Sequence, residues 1–294
     1  MNYRHIYHAG NFADVVKHAT LALVIERLKL KDAAFRVIDT HAGLGGYDLG
    51  SQAAQKTGEW RAGIGRLVGP DAAPLPAPAA ELLAPYLDVV RALNPTGAIV
   101  RYPGSPRLAR ALLRPQDRLV ANELHPEDAV SLRGAFARDK LTQVMELDGW
   151  VALKSLLPPK ERRGVVLIDP PYEEAGELDR VVEALAGGYA RFAGGTFIAW
   201  YPVKAVAPVE QFCRAVAATG IRKVLRVELH VHRQLTADRL NGCGLIIVNP
   251  PWKLPGELAI HLPWLARQLA VTGEATCRLD WLADELGGTS SLRG

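Results

Sequence analysis

From residue 118 onward, short apolar runs alternate with stretches of helical spacing, and no other feature of the chain restricts its fold as strongly. Strands are expected at about 118–121, 142–146, 164–168, 196–200, 224–231 and 244–248, with helices such as 126–138 and 178–191 between them. Strand, helix and strand in repeated succession imply a parallel, doubly wound sheet. The run from Phe35 to Asp39 supplies a seventh strand. Ahead of it, the spacing of Val15, Val16, Ala19, Leu23 and Leu28 is that of a helix. The rhythm breaks at the last two strands, because His232 to Gly244 has the composition of a hairpin and is short for a crossover helix. The expected fold class is α/β, a mostly parallel seven-stranded sheet with one antiparallel strand.

At 294 residues the chain makes one large domain with a sizeable insertion. Residues 1–46 and 105–285 are assigned to the main domain, 47–104 to an inserted helical subdomain and 286–294 to a flexible tail. The insertion holds Gly58-Glu59-Trp60, a helix-like piece from Gly63 to Leu67, and a Pro/Ala-rich run from Pro70 to Pro85 read as a compliant connector. Its Trp60, Leu82, Leu83, Tyr86 and Leu87 can bury apolar surface. A net charge of +4 fits an anionic partner without requiring one. Cys213, Cys243 and Cys277 lie far apart in no metal-ligand spacing and read as reduced thiols of a cytoplasmic protein. No apolar run reaches the ~18 residues of a membrane span, and Met1 to His5 lacks a signal-peptide core. No membrane partner is expected.

The apolar run Gly164 to Ile168 ends in Asp169-Pro170-Pro171-Tyr172. These four residues suit one job, holding a flat exocyclic amine beside a methyl donor. The lone pair of such an amine is delocalised into its ring, so a site that alkylates it must accept hydrogen bonds from both N–H groups. The Asp169 side chain can accept one and the Pro170 backbone carbonyl the other, proline having no N–H of its own. Tyr172 offers a stacking face, worth about 1–3 kcal/mol per base on an aromatic platform. The plain alternative is a strand-to-loop turn; the aromatic fourth residue and the wholly apolar strand favour a catalytic loop.

Ligands of an open parallel sheet gather at the carboxyl ends of its strands, which groups residues distant in sequence. Asp39-x-His41-x-Gly43-x-Gly45 follows the first strand, and its glycines allow close backbone approach. Glu123 closes the next strand, where a carboxylate suits two ribose hydroxyls. Asp148-Gly149 follows the third, where a carboxylate suits an adenine amino group, and Asp169 closes the fourth. Three acidic strand ends after a glycine-rich loop suggest S-adenosyl-L-methionine, whose ribose and adenine donate hydrogen bonds and whose sulfonium is positive. The absence of a Gly-x-x-x-x-Gly-Lys loop argues against a nucleotide triphosphatase. No metal is expected, because Asp14 with His18, or His230 with His232, offers two ligands and no third.

Taken in order, several motifs resemble one family. They are His5-x-x-His8-Ala-Gly-Asn11-x-Ala-Asp14-Val-x-Lys17-His18, Asp39-Thr-His-Ala-Gly43, Tyr102-Pro-Gly-Ser-Pro106, Glu123-Leu-His-Pro126, Asp148-Gly149, Asp169-Pro-Pro-Tyr172 and Asn249-Pro-Pro-Trp252. Together they look like the bacterial 23S ribosomal RNA adenine-N6 methyltransferases of the J type, from residue 3 to about residue 265. The resemblance implies an S-adenosylmethionine-dependent, Rossmann-like fold with a small helical insertion, acting on an adenine of 23S ribosomal RNA. It places cofactor contacts on His18, His41, Ser105, Glu123, Asp148, Gly149 and Asp169, with Asp169 also the proton acceptor. It lays Tyr3, His5 and Lys17 against the RNA or the cofactor pocket. The insertion's Pro/Ala-rich part and the tail beyond about residue 280 depart from the family pattern. Read residue by residue, His18 also fits a packed polar side chain. Ser105 can bond the methionine moiety or cap the helix beginning near Pro106.

Asn249-Pro250-Pro251-Trp252 repeats the tetrapeptide pattern after a second apolar strand. The catalytic assignment goes to Asp169, Pro170 and Tyr172, since that copy follows directly after the glycine loop, Glu123 and Asp148. Asn249 is then a structural turn or a wall of the base pocket. Three basic groups are candidates for phosphate contact: Arg107, Arg110 and Arg114; Lys160, Arg162 and Arg163; Arg222, Lys223 and Arg226. The chain is expected to act as a monomer with no obligate protein partner. Two other readings stay open, a DNA adenine-N6 or cytosine-N4 methyltransferase and a non-catalytic RNA-binding protein on the same scaffold.

Overall fold

The Asn11 side chain accepts hydrogen bonds from the backbone N–H groups of Ala13 and Asp14, two donors that a helix start leaves unpaired. So begins α1 (Phe12–Lys29) in the computed structural model, which describes residues 4–70, 72–232, 236, 239–273, 275–286 and 288–291. Every residue of α1 from Ala13 to Ile25 is buried, because other elements surround it. The chain continues through β1 (Arg36–Asp39), β2 (Gly46–Asp48), α2 (Gln52–Thr57), α3 (Gly65–Val68), α4 (Ala77–Ala92), β3 (Arg101–Pro103) and α5 (Ser105–Leu112). Next come β4 (Arg118–Asn122), α6 (Pro126–Phe136), β5 (Thr142–Met145), α7 (Gly149–Leu156), β6 (Gly164–Ile168) and α8 (Glu177–Arg191). The last third is β7 (Thr196–Val203), α9 (Val206–Ala218), β8 (Val224–His230), β9 (Gly242–Val248), α10 (Leu254–Leu269), β10 (Thr276–Ala283) and β11 (Ser290–Ser291).

The main sheet has the order β11-β10-β8-β9-β7-β6-β1-β4-β5. Strands β5, β4, β1, β6 and β7 pair in parallel, and β9 is antiparallel to both β7 and β8. This is a Rossmann-like arrangement, and β9 is the antiparallel strand expected from the short hairpin-like connection. The described sheet has nine strands rather than seven. The added pair is β10, antiparallel to β8, and β11, antiparallel to β10. Strand β10 escapes sequence reading because Arg278 and Asp280 interrupt its apolar residues, as suits a strand near a sheet edge. Arg226 on β8 secures it through a bidentate pair with Asp280 at 2.9 and 2.7 Å.

Alternate side chains of each strand enter opposite layers. Val37, Val165, Leu167, Ile198, Leu245 and Ile247 pack in a cluster that includes residues of α1, α4, α5 and α10. Ile38, Val166, Ile168, Phe197, Ile246 and Val248 pack with residues of α7, α8 and α9. The segment read as an insertion, 47–104, has its ends in the antiparallel pair β2–β3. Its proline-rich run is helical from Ala77, contrary to the expected connector. Pro78 falls in the first turn, where no N–H is needed. Pro85 lies inside the helix and forgoes a hydrogen bond, but Leu83, Tyr86, Leu87 and Val90 are buried, so tertiary packing outweighs propensity.

Candidate active site

Five parallel strands end at one edge of the sheet, where their loops enclose a cleft of about 1200 Å³. His5, Lys17, His18, His41, Ser105, Glu123, Asp148, Gly149, Asp169, Pro170 and Tyr172 all line it. Tyr3 lies outside the described residues.

One end of the cleft is built from the loops after β1, β4 and β5. Glu123 directly follows β4, and its two carboxylate oxygens accept from the backbone N–H groups of Gly43 and His125, each at 2.8 Å. Burial raises this carboxyl above its ordinary range. Gly43 has φ +61°, and a Cβ there would lie 2.4 Å from the Tyr47 hydroxyl, so glycine suits the loop that closes over Glu123. Asp148 caps α7 through Oδ1, which accepts from the N–H groups of Trp150 and Val151 at 3.0 Å. At Gly149 a Cβ would sit 2.5 Å from His41 Nε2. The His41 ring stands edge-on to Trp150 at 5.5 Å, and burial pushes its pKa down to about 4.

Asp169, the first residue past β6, anchors the middle of the cleft. Its Oδ2 accepts from the Lys17 ammonium, which also reaches Asp14 Oδ1 at 2.9 Å. Asp14 Oδ2 in turn accepts from the Gly10 N–H at 2.9 Å and meets His5 Nε2 at 2.9 Å. Burial opposes charge on both Asp14 and Lys17, yet opposite charges prevail. His5 and Lys17 hold the Asp14 carboxyl well below its usual range, and Asp14 and Asp169 hold the Lys17 ammonium well above its own. Lys17 is therefore a 4 % exposed cation turned to carboxylates within the cleft. Asp39, 1 % exposed at the end of β1, is pushed up to about 7 by burial and by the nearby Asp169. Tyr172 takes the left-handed region, φ +55°, and its hydroxyl donates to the Trp200 carbonyl at 2.5 Å. Its ring meets Trp200 edge-on at 5.5 Å, which fixes it in the wall.

His18 is 1 % exposed, stacks on Tyr102 at 5.5 Å and bonds the Tyr102 hydroxyl through Nδ1 at 2.8 Å. Burial pushes it down to about 3, so it is a neutral packed ring that also borders the cleft. Ser105 is not a cap: it is the first residue of α5, and the N-cap is Gly104, which has no side chain to offer.

Strand β9 runs against its neighbours, so Asn249 emerges at the opposite edge, beside the starts of β7 and β8. Its side-chain amide donates to the carbonyls of Ala193 and Gly195 at 2.7 and 2.9 Å, which makes it a turn residue and no wall of the cleft. Most of the basic candidates share that edge, because residues just before a parallel strand stand at its amino end. Arg114 is bound to Asp117 and to the carbonyls of Lys29, Lys31 and Ala33, and Arg163 to those of Leu28 and Ala33. Arg110 pairs with Asp139, Lys223 with Glu285, and Arg226 is 2 % exposed. Besides Lys17, the cleft is bordered by Lys204, Arg239 and Arg180, cations that drew no attention in the sequence. Trp200, within β7, and Trp150, just past Asp148-Gly149, were also missed.

Residues 32–283 match the family described as "Ribosomal RNA large subunit methyltransferase D, RlmJ". A curated relative from Escherichia coli, named ribosomal RNA large subunit methyltransferase J, is 46% identical across 94% of this chain and 97% of its own. One of the same name from Haemophilus influenzae is 43% identical across 97% of this chain and 100% of its own. A crystal structure of a Legionella pneumophila protein superposes with a TM-score of 0.83 at 35% identity, covering 93% of this chain and 98% of that one. With a match over most of its length and relatives this similar, the chain belongs to the family of ribosomal RNA large subunit methyltransferases so described.

Proposed function

We propose that this protein transfers a methyl group from S-adenosyl-L-methionine to the N6 amine of an adenine in 23S ribosomal RNA. The observation that carries the reading is the placement of Asp169 and Pro170 just past β6, in one cleft with Glu123, Asp148 and Gly149. The residues present suit the cofactor. Glu123 and Asp148 are acceptors for ribose and adenine donors, and the glycines at 43 and 149 leave room that a Cβ would take from Tyr47 and His41. His18, His41 and Ser105 would complete the holding set. Bound there, S-adenosyl-L-methionine supplies an electrophilic methyl group.

The chain's own part is positioning. A flipped adenine, unstacked at a cost of a few kcal/mol, would lie against Tyr172. Lys17 binds Oδ2 of Asp169, which leaves Oδ1 to accept one N6 hydrogen while the Pro170 carbonyl accepts the other. Holding the amine between two fixed acceptors favours tetrahedral geometry at nitrogen, and the released proton passes to Asp169 or to water. Asp169 need not be a strong base, since the amine becomes acidic only as its new bond forms, and most of the catalysis is orientation and charge complementarity. His5 ties the N-terminal segment to this centre through Asp14. The reading needs no metal and no second chain, and it places the protein in the bacterial cytoplasm with its RNA. A DNA methyltransferase would share the tetrapeptide, but the names of the curated relatives favour ribosomal RNA.

Nucleoside mass spectrometry of 23S RNA fragments, from cells with and without the gene, tests this directly. One fragment should lose N6-methyladenosine when the gene is removed; identical spectra would overturn the reading.

A further inference from the structure

A second cavity, of about 310 Å³, lies between α7 and α8. Trp150 and Lys154 of α7 line it with Arg180, Ala184, Gly187 and Arg191 of α8. Trp150 and Arg180 also border the catalytic cleft, so the two spaces share a wall. Three exposed cations, Lys154, Arg180 and Arg191, face one acid, Glu183, which selects for an anionic ligand. The volume is near the lower end for small-molecule pockets, suited to a group the size of a nucleoside.

Helix α8 keeps this space open with adjacent glycines. Gly188 is fixed by packing, since its Cβ would lie 2.7 Å from the Phe197 ring. Gly187 is different: a Cβ there meets nothing within 4 Å, so no neighbour requires glycine, and glycine weakens a helix interior. Arg180 pairs with Glu174 through side chains that are 49% and 67% exposed, so a phosphate can replace that partner. A half-buried indole beside three cations is how single-stranded nucleic acid is gripped, with a base on the aromatic face and the backbone on the charges.

We infer that the α7–α8 groove is a subsite for a nucleotide neighbouring the target adenine, its base against Trp150 and the phosphates of its strand along Arg180, Lys154 and Arg191. This rests on the RNA reading of the cleft. The subsite would let the enzyme sense the strand next to the flipped base and would contribute to choice among adenines. It acts on RNA capture, leaving the methyl-transfer step to the cleft.

Two variants separate shape from charge. Gly187→Leu fills the groove without changing charge, and the double variant Lys154→Glu/Arg191→Glu inverts charge without filling it. Methylation of a 23S RNA fragment gives KM and kcat, and calorimetry gives the dissociation constant for S-adenosyl-L-methionine. Both variants should raise KM for RNA on the order of tenfold, with kcat and cofactor affinity within about twofold of wild type. Wild-type KM in Gly187→Leu overturns the subsite even if the charge variant is impaired, because a general positive surface would give that pattern. A matching loss of cofactor affinity also overturns it, since the groove would then act through the cofactor. Failure of the wild-type protein to methylate any 23S fragment sinks the parent reading instead, so the two failures are distinct.

Discussion

Asp169 and Asn249 each follow an apolar strand and precede two prolines and an aromatic, and their partners differ in kind. The Asp169 carboxylate faces an ammonium and an open cleft, whereas both amide hydrogens of Asn249 are bound to backbone carbonyls. Asp169→Ala should therefore abolish methyl transfer while weakening S-adenosyl-L-methionine binding only modestly. Calorimetry beside a transfer assay checks both halves, and retained transfer would move the chemistry elsewhere. Gly149 gives a complementary prediction. A methyl group there would lie 2.5 Å from His41 Nε2 and 3.0 Å from the Thr40 carbonyl. Overpacking of this kind costs about 1–3 kcal/mol. Gly149→Ala should thus weaken cofactor binding by about fivefold or more, read by the same titration. An unchanged dissociation constant would show that His41 yields freely and is no part of the cofactor wall.

Among the elements, the direction of β9 matters most for function. Had it run parallel to β7, Asn249 would have reached the catalytic edge and the tetrapeptide would have appeared there twice. Running antiparallel, it sends Asn249 to the turn at 193–195 that leads into β7. Asn249→Ala should lower stability to urea by about 1–3 kcal/mol, from two turn carbonyls that lose their donor and from a residue at φ +50° that favours asparagine over alanine. Transfer activity per folded molecule should stay at the wild-type level; a large loss of kcat would mean that the turn reaches the cleft. Helix α4 carries a related lesson. The closely spaced prolines between 70 and 85 suggest a connector, because proline is poor inside a helix even beside alanine, the best helix former. Burial of Leu83, Tyr86 and Leu87 against the rest of the chain decides otherwise.

For the whole molecule, buried histidines set a pH limit. His18 and His261 are each 1 % exposed, and burial pushes them down to about 3 and about 4 from an ordinary 6.5. The unfolded chain takes up these protons near 6.5 and the folded chain does not. Between about 6.5 and 4 the unfolded state binds more protons, so stability falls as pH drops through that window, by up to about 1.4 kcal/mol per pH unit for each histidine. Thermal melts at about pH 7 and about pH 4.5 should show a clearly lower midpoint at the acid end. A flat midpoint would mean that these rings gain partners on protonation.

The sequence by itself determined the α/β class, the one reversed strand among the first seven, and the acids Glu123, Asp148 and Asp169 at strand ends. A strand and the residue that closes it are neighbours in the chain, so their relation is written locally. Tertiary structure alone decided what those acids face. Lys17 meets Asp169 across 152 positions, and Trp200 accepts a bond from Tyr172 across 28. Most of the arginines and lysines that looked like phosphate ligands turned out to serve the far edge or the interior. Charge and periodicity say which residues lie on a surface or in a core. Which edge of the sheet a side chain reaches, and which opposite charge waits there, follows from strand direction and packing, and neither is encoded within a window of sequence.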